Sequence, residues 1–107
     1  MNIDHYTYRI TWSEEDEEFV GLCVEFPSLS WLAATQDDAL KGIRNIVLEV
    51  VDDLIKSDEH VPEALSEKSY SGKFMVRVPP EIHRHLAMEA AEAGVSLNRL
   101  ASSKLAH

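Results

Sequence analysis

Two cations, Lys73 and Arg77, stand four residues apart in the stretch KFMVRVPPE, with Met75 between them and Phe74, Val76 and Val78 at the alternate positions. In an extended chain successive side chains point to opposite faces, so Lys73, Met75 and Arg77 share one face and the three apolar residues share the other. Cations in such a place either guard an exposed strand edge against aggregation or meet an anionic partner. Their presence raises a question, because the chain as a whole carries a net charge of -9.

Enzyme chemistry has no comparable support. Metal-dependent catalysis needs carboxylates that converge on one site, and Asp4, Glu25 and Asp38 show no spacing that would bring them together. His5, His60 and His107 fall near the ends or in a polar stretch, while His83 and His85 are two apart on a helical pattern and face different directions. No serine carries a recognisable base motif. The single cysteine, Cys23, lies in an alternating apolar run and reads as a plain buried thiol, since alone it forms neither an intrachain disulfide nor a zinc site. The expectation is a protein with no catalytic residue, no metal and no cofactor.

The 107 residues, 45% of them hydrophobic, suffice for one modest core or two very small ones. No apolar run approaches the length of a membrane span, and MNIDHYTYRI lacks a basic segment followed by an apolar one, so a cytoplasmic protein without membrane association is expected. Charge divides the chain. Residues 1–66 hold 15 Asp/Glu against 4 Lys/Arg, net -11, and residues 67–107 hold 4 against 6, net +2. Such asymmetry speaks to association and predicts two kinds of partner.

Hydrophobic periodicity supplies the elements that position these residues. Tyr6 to Trp12 alternates as a half-buried strand, the acidic turn SEEDEE follows, and Phe19 to Phe26 alternates again, which predicts an antiparallel hairpin. The turn residues Glu14 to Glu18 read either as a partner-contact patch or as a solvated loop. A short strand from about Leu29 to Ala34 leads to Thr35, which with Asp38 caps a helix starting near Gln36. Its apolar stripe comprises Leu40, Ile43, Val47, Val50 and Leu54, flanked by Ile46 and Val51. The polar run from Lys56 to Gly72 lacks sustained periodicity and reads as a linker. The expected organisation is therefore a domain at 1–57, a linker at 58–71 and a second domain at 72–107.

The second domain reads as strand, helix, helix. Pro79-Pro80 stops the strand and presets a helical turn, and Ile82, Leu86, Ala90 and Ala93 form an apolar stripe. Gly94 supplies a left-handed stop, and Ser96 caps a last helix carrying Leu97, Leu100, Ala101 and Leu105. A single strand with both edges unpaired and so little apolar area is expected to fold only as a homodimer, its two strands paired antiparallel.

KFMVRVPPEIHRHLAMEAAEAGVSLNRLA, Lys73 to Ala101, resembles the ribbon-helix-helix repressors of the Arc/MetJ type. The resemblance implies a paired ribbon in the DNA major groove, with base-edge reading by Lys73, Met75 and Arg77 and phosphate anchoring by Ser96, Leu97 and Asn98. Met75 stands where that family carries a polar residue, so it would contact a base through apolar surface alone. His83, Arg84 and His85 read either as auxiliary contacts to the DNA backbone or as an exposed polar face. GLCVEFPSLSWLAATQDDALKGIRNIVLEVV, Gly21 to Val51, is similar to the HicB antitoxin family. The implied fold class is α+β, a partial RNase H-like small antiparallel sheet with one helix, followed by the ribbon-helix-helix dimerisation domain. The implied function is that of an antitoxin in a toxin-antitoxin system, masking a HicA-like small basic ribonuclease and repressing its own operator DNA as a homodimer or tetramer. An orphan protein-interaction dimer, or a stand-alone regulator without a toxin, is the alternative.

Overall fold

The computed structural model describes residues 2–107 and falls into two compact units, one ending at Tyr70 and one running from Ser71 to His107. The architecture is mixed, with a three-stranded antiparallel sheet and three helices.

In the first unit a 3-10 turn at Ile3–His5 precedes strand β1, Tyr8–Ser13. Strand β2 spans Glu18–Cys23 and β3 spans Ser30–Ala33, in the sheet order β1-β2-β3. Strands β1 and β2 are shorter than the sequence runs suggested, because Tyr6 and Phe26 leave the ladder. Their rings meet edge to face at 5.3 Å and bury together. In the hairpin turn Glu17 takes a left-handed conformation, φ 51°. Helix α1, Gln36–Lys56, begins as the sequence predicts, with the Thr35 hydroxyl accepting from the Asp38 N–H at 3.1 Å.

The face that α1 covers follows from the register. Ile10 pairs with Gly21 and Gly21 with Trp31; on one side Tyr8 pairs with Cys23 and Trp12 with Phe19. Gly21 leaves room for the helix, since a β-carbon there would stand 2.5 Å from the Ala39 carbonyl oxygen. Close approach rotates α1 from the expected stripe: Ala39, Gly42, Ile43, Val47 and Val51 are buried, whereas Leu40 is exposed. Small residues win at the start of the helix because backbone contact with the sheet excludes a bulky side chain. Ile43, Val47 and Val51 form the deepest part of the core, and each contributes about 1.5–3 kcal/mol relative to exposure.

Residues 58–71, expected as a linker, belong for most of their length to the first unit. Ala64 is fully buried and Val61 packs against the core. Four polar ties hold the stretch down. The Tyr6 hydroxyl donates to the Pro62 carbonyl at 2.6 Å and the Ser66 hydroxyl to the His5 carbonyl at 2.7 Å. Glu25 accepts from the Leu65 N–H at 3.0 Å, and the His5 ring meets the Glu67 carboxylate. These anchors are single residues without period, which is why polar composition alone reads as a tether.

In the second unit α2 spans Pro80–Ala93 and α3 spans Leu97–Leu105. Pro80 opens α2 as expected, and Gly94 closes it in the left-handed conformation, φ 69° and ψ 27°. The Ser96 hydroxyl accepts from the Arg99 N–H at 3.0 Å, and Lys104 bridges to Glu89 at 3.2 Å.

Candidate nucleic-acid interface

The segment that should carry the base-reading residues has no regular secondary structure in the single chain: Lys73 to Pro79 makes no strand ladder. The expected strand is thus absent from one copy, because a lone strand has no partner for its N–H and C=O groups. Its start is shaped locally. Gly72 is left-handed at φ 82°, and the Ser71 hydroxyl accepts from the Lys73 N–H at 3.1 Å. Lys73, Met75 and Arg77 are all exposed, Met75 at 84%. So are Phe74, at 76%, Val76 and Val78, the apolar side of the alternation.

The helices that follow this segment also leave apolar side chains uncovered. Of the expected α2 stripe, Ala90 is buried and Leu86 half-buried, whereas Ile82 and Ala93 are exposed. In α3, Leu97, Leu100 and Ala101 are half-buried and Leu105 is exposed. Ala90 is the one fully buried hydrophobic side chain of this unit among the described residues, too small a core to offset the entropy of ordering some 35 residues.

The residues assigned to phosphate anchoring lie together. Ser96 caps α3, and Leu97 and Asn98 form its first turn. Arg99 adds to this group and was not singled out in the sequence. Helices α1 and α2 carry acidic residues in the first turn, Asp37 and Asp38 in one and Glu81 in the other, whereas α3 has none and places Arg99 there. A cation at the positive end of a helix runs against the dipole preference, which is the signal that would have flagged it. No hydrogen bond joins this group to Lys73, Met75 or Arg77 within the copy, among the described residues. His83, Arg84 and His85 are exposed on α2.

The three carboxylates weighed for catalysis form no cluster among the described residues, and two of them have structural partners. Asp4 pairs with Arg44, Asp38 heads α1, and Glu25 accepts from the Thr7 N–H at 2.9 Å, the Thr7 hydroxyl at 3.2 Å and the Leu65 N–H at 3.0 Å. Burial would push the Glu25 carboxyl up, but the backbone donors of Thr7 and Leu65 outweigh it and hold the group below its ordinary value. Burial raises the Cys23 thiol above its ordinary value, with the Glu25 charge adding to the effect. Tyr8, whose hydroxyl donates to the Ile3 carbonyl at 2.8 Å, is pushed up to about 12, chiefly by burial.

The model of the HicB family matches residues 57–105. The match therefore falls on the end of the first unit and nearly all of the second, and not on Gly21 to Val51, where the sequence resemblance to HicB is drawn. Comparison with curated proteins and with solved structures returns no match. No helix among the described residues is long and apolar enough to cross a membrane.

Proposed function

We propose that this chain is a HicB-type antitoxin whose second unit pairs with another copy as a ribbon-helix-helix and binds operator DNA. One observation carries the reading: the stretch similar to the HicB family contains a segment whose apolar and cationic positions alternate and are all exposed in the single copy. Antiparallel pairing of two such segments satisfies their backbone groups and buries Phe74, Val76 and Val78 against both helix pairs. It also sets two copies of Lys73, Met75 and Arg77 on one outward face, wide enough for the major groove. The first turns of α3, with Ser96, Leu97, Asn98 and Arg99 and no carboxylate, suit the flanking phosphates.

In this reading the first unit, a small sheet with one helix of partial RNase H-like form, masks a HicA-like small basic ribonuclease. Its 16 Asp/Glu against 5 Lys/Arg through Tyr70 favour a cationic partner. Dimers and tetramers are both compatible with the two-unit design. A second reading, a stand-alone regulator or orphan interaction dimer without a toxin, draws on the family match lying on the half assigned to DNA.

The test combines growth rescue from a HicA-type toxin with a promoter reporter, using the full chain and Arg77→Ala. An Arg bidentate to guanine is worth about 1–3 kcal/mol, and a dimer loses two, so operator affinity should fall at least roughly 30-fold at constant salt. Growth rescue should persist in the variant. Repression without rescue by the wild-type chain selects the stand-alone regulator, and undiminished operator binding by Arg77→Ala overturns the ribbon assignment.

A further inference from the structure

Helix α1 covers one face of the sheet, and among the described residues no element of the first unit covers the other. The register places Arg9, Leu22 and Ser30 in one row across that second face and Thr11, Val20 and Leu32 in the next, with Ser13 and Glu18 closing the end. Its centre is apolar. Leu32 is 44% exposed and Val24, which continues the β2 alternation beyond the strand, is 40% exposed; Val20 and Leu22 are half-buried. One end of the face runs into the hairpin turn Glu14 to Glu18. None of the five carboxylates there is in an ion pair among the described residues, although Glu14 accepts from the Trp12 indole at 2.7 Å and Asp16 from the Ser13 hydroxyl at 3.0 Å. Among the described residues Arg9 is the single cation on the face.

An exposed apolar centre with an uncompensated acidic rim is complementary to a surface that is apolar in the middle and basic at its edge. A second copy of the same face fits less well, because it would bring together two units that each carry a net charge of -11. We infer that the open sheet face, centred on Val20, Leu22 and Leu32 and rimmed by Glu14 to Glu18, is the docking surface for a cationic protein. This rests on the antitoxin reading and specifies it: the face would be the surface on which the small basic toxin is held. The partner seats an apolar side chain between Leu22 and Leu32 and directs Lys or Arg toward the turn. The hairpin, and not helix α1, then sets the rate of encounter.

The experiment co-expresses the full chain with a HicA-type toxin and measures affinity, association rate and growth rescue. Leu32→Glu and Thr11→Arg alter the open face at exposed positions, Leu48→Glu alters the solvent side of α1 as a control, and Glu15→Lys with Glu17→Lys alters the rim. The expected result is a loss of affinity of roughly 30-fold or more for Leu32→Glu, as for an interface anchor. Thr11→Arg, which removes nothing from the core, should also weaken binding. The rim pair should slow association at low salt and converge with wild type as salt rises. Leu48→Glu should bind as wild type. If wild type binds and both open-face variants bind equally well, the surface assignment fails and the antitoxin reading stands. If wild type binds no such toxin, both fail together. Sedimentation supplies one more decisive outcome: an oligomer of the isolated chain that Leu32→Glu dissociates would show the face to be taken by a second copy, and would overturn the inference.

Discussion

A β-carbon placed on Gly21 would stand 2.5 Å from the carbonyl oxygen of Ala39 and 3.0 Å from the Ile43 side chain. The obstructing atom is backbone, so relief requires the helix to lift from the sheet. Gly21→Ala should destabilise the first unit by about 1–3 kcal/mol, the range for an overpacked core. Gly42 offers the contrast. Its added carbon would fall 2.0 Å from the Trp31 ring, but that indole is half-exposed and can swing away, and alanine regains about 1 kcal/mol of helix propensity. Thermal or urea denaturation of the two variants should therefore rank Gly21→Ala clearly below Gly42→Ala.

Glu25 joins the start of β1 to residues beyond α1, because one carboxylate accepts from Thr7 and from Leu65. Its folded pKa lies below the ordinary 4.5, so the charged form is favoured in the fold. The stabilisation is fully present above 4.5 and is lost as pH falls from there through the lower folded value. Glu25→Gln should cost about 1–3 kcal/mol near neutral pH, as expected for charge-assisted hydrogen bonds, and the gap from wild type should narrow across that acid window. Urea midpoints measured from neutral pH down to strongly acid conditions check both the size and the sign.

Just past the cap of helix α1 the chain turns through left-handed backbone that glycine adopts more readily than any other residue. Asp58 follows the cap with φ 52°, while the Glu59 N–H bonds to the Leu54 carbonyl at 2.8 Å and the Ser57 N–H to the Asp53 carbonyl at 3.0 Å. Left-handed backbone costs most side-chain-bearing residues roughly 1–2 kcal/mol, with Asp toward the low end, and the unfolded-state entropy of glycine offsets about 0.4–1 kcal/mol of the relief. Asp58→Gly should raise stability by on the order of 0.5–1 kcal/mol, helped by removal of a carboxylate from the negative helix end. A rise in the urea midpoint without a change of slope is the expected signature.

The helices were the legible part of this chain. Thr35 with Asp38, Pro80, Gly94 and Ser96 each satisfy a specific backbone need at a helix end, so local chemistry marks those boundaries. The rotation of α1 toward Ala39 and Gly42 was not legible, because it depends on Gly21 across the sheet, a distant residue whose lack of a side chain decides the contact. The course of residues 58–70 was hidden for a related reason: Pro62, Ala64, Leu65 and Ser66 make one tie each to distant partners, and isolated ties leave no period. For the candidate interface, the alternation of Lys73 to Val78 was plain, yet the strand it implies needs hydrogen-bond partners that one chain does not contain. Arg99 could have been found by noticing a cation where a helix start prefers an acid.

The proposed ribbon makes oligomeric state depend on the apolar side of Lys73 to Val78, and Val76 is its central residue. Exposed at 61% in the single copy, Val76 costs the monomer little if replaced by a polar residue, so Val76→Asp should leave the first unit folded and its thermal transition unchanged. In the paired ribbon the same substitution places two carboxylates in an apolar layer and removes two buried valines, worth about 1.5–3 kcal/mol each. Dimer dissociation should then become easier by on the order of a hundredfold or more. Sedimentation at micromolar concentration should show wild type as a dimer or tetramer and Val76→Asp shifted toward smaller species, with helix content of the second unit falling in parallel because Ala90 alone cannot hold α2 and α3 together. Met75→Asp, on the opposite side of the alternation, should leave assembly intact while weakening operator binding. A variant pair in which Met75→Asp dissociates the protein and Val76→Asp does not would mean that the two faces are exchanged, and that Phe74, Val76 and Val78 face outward.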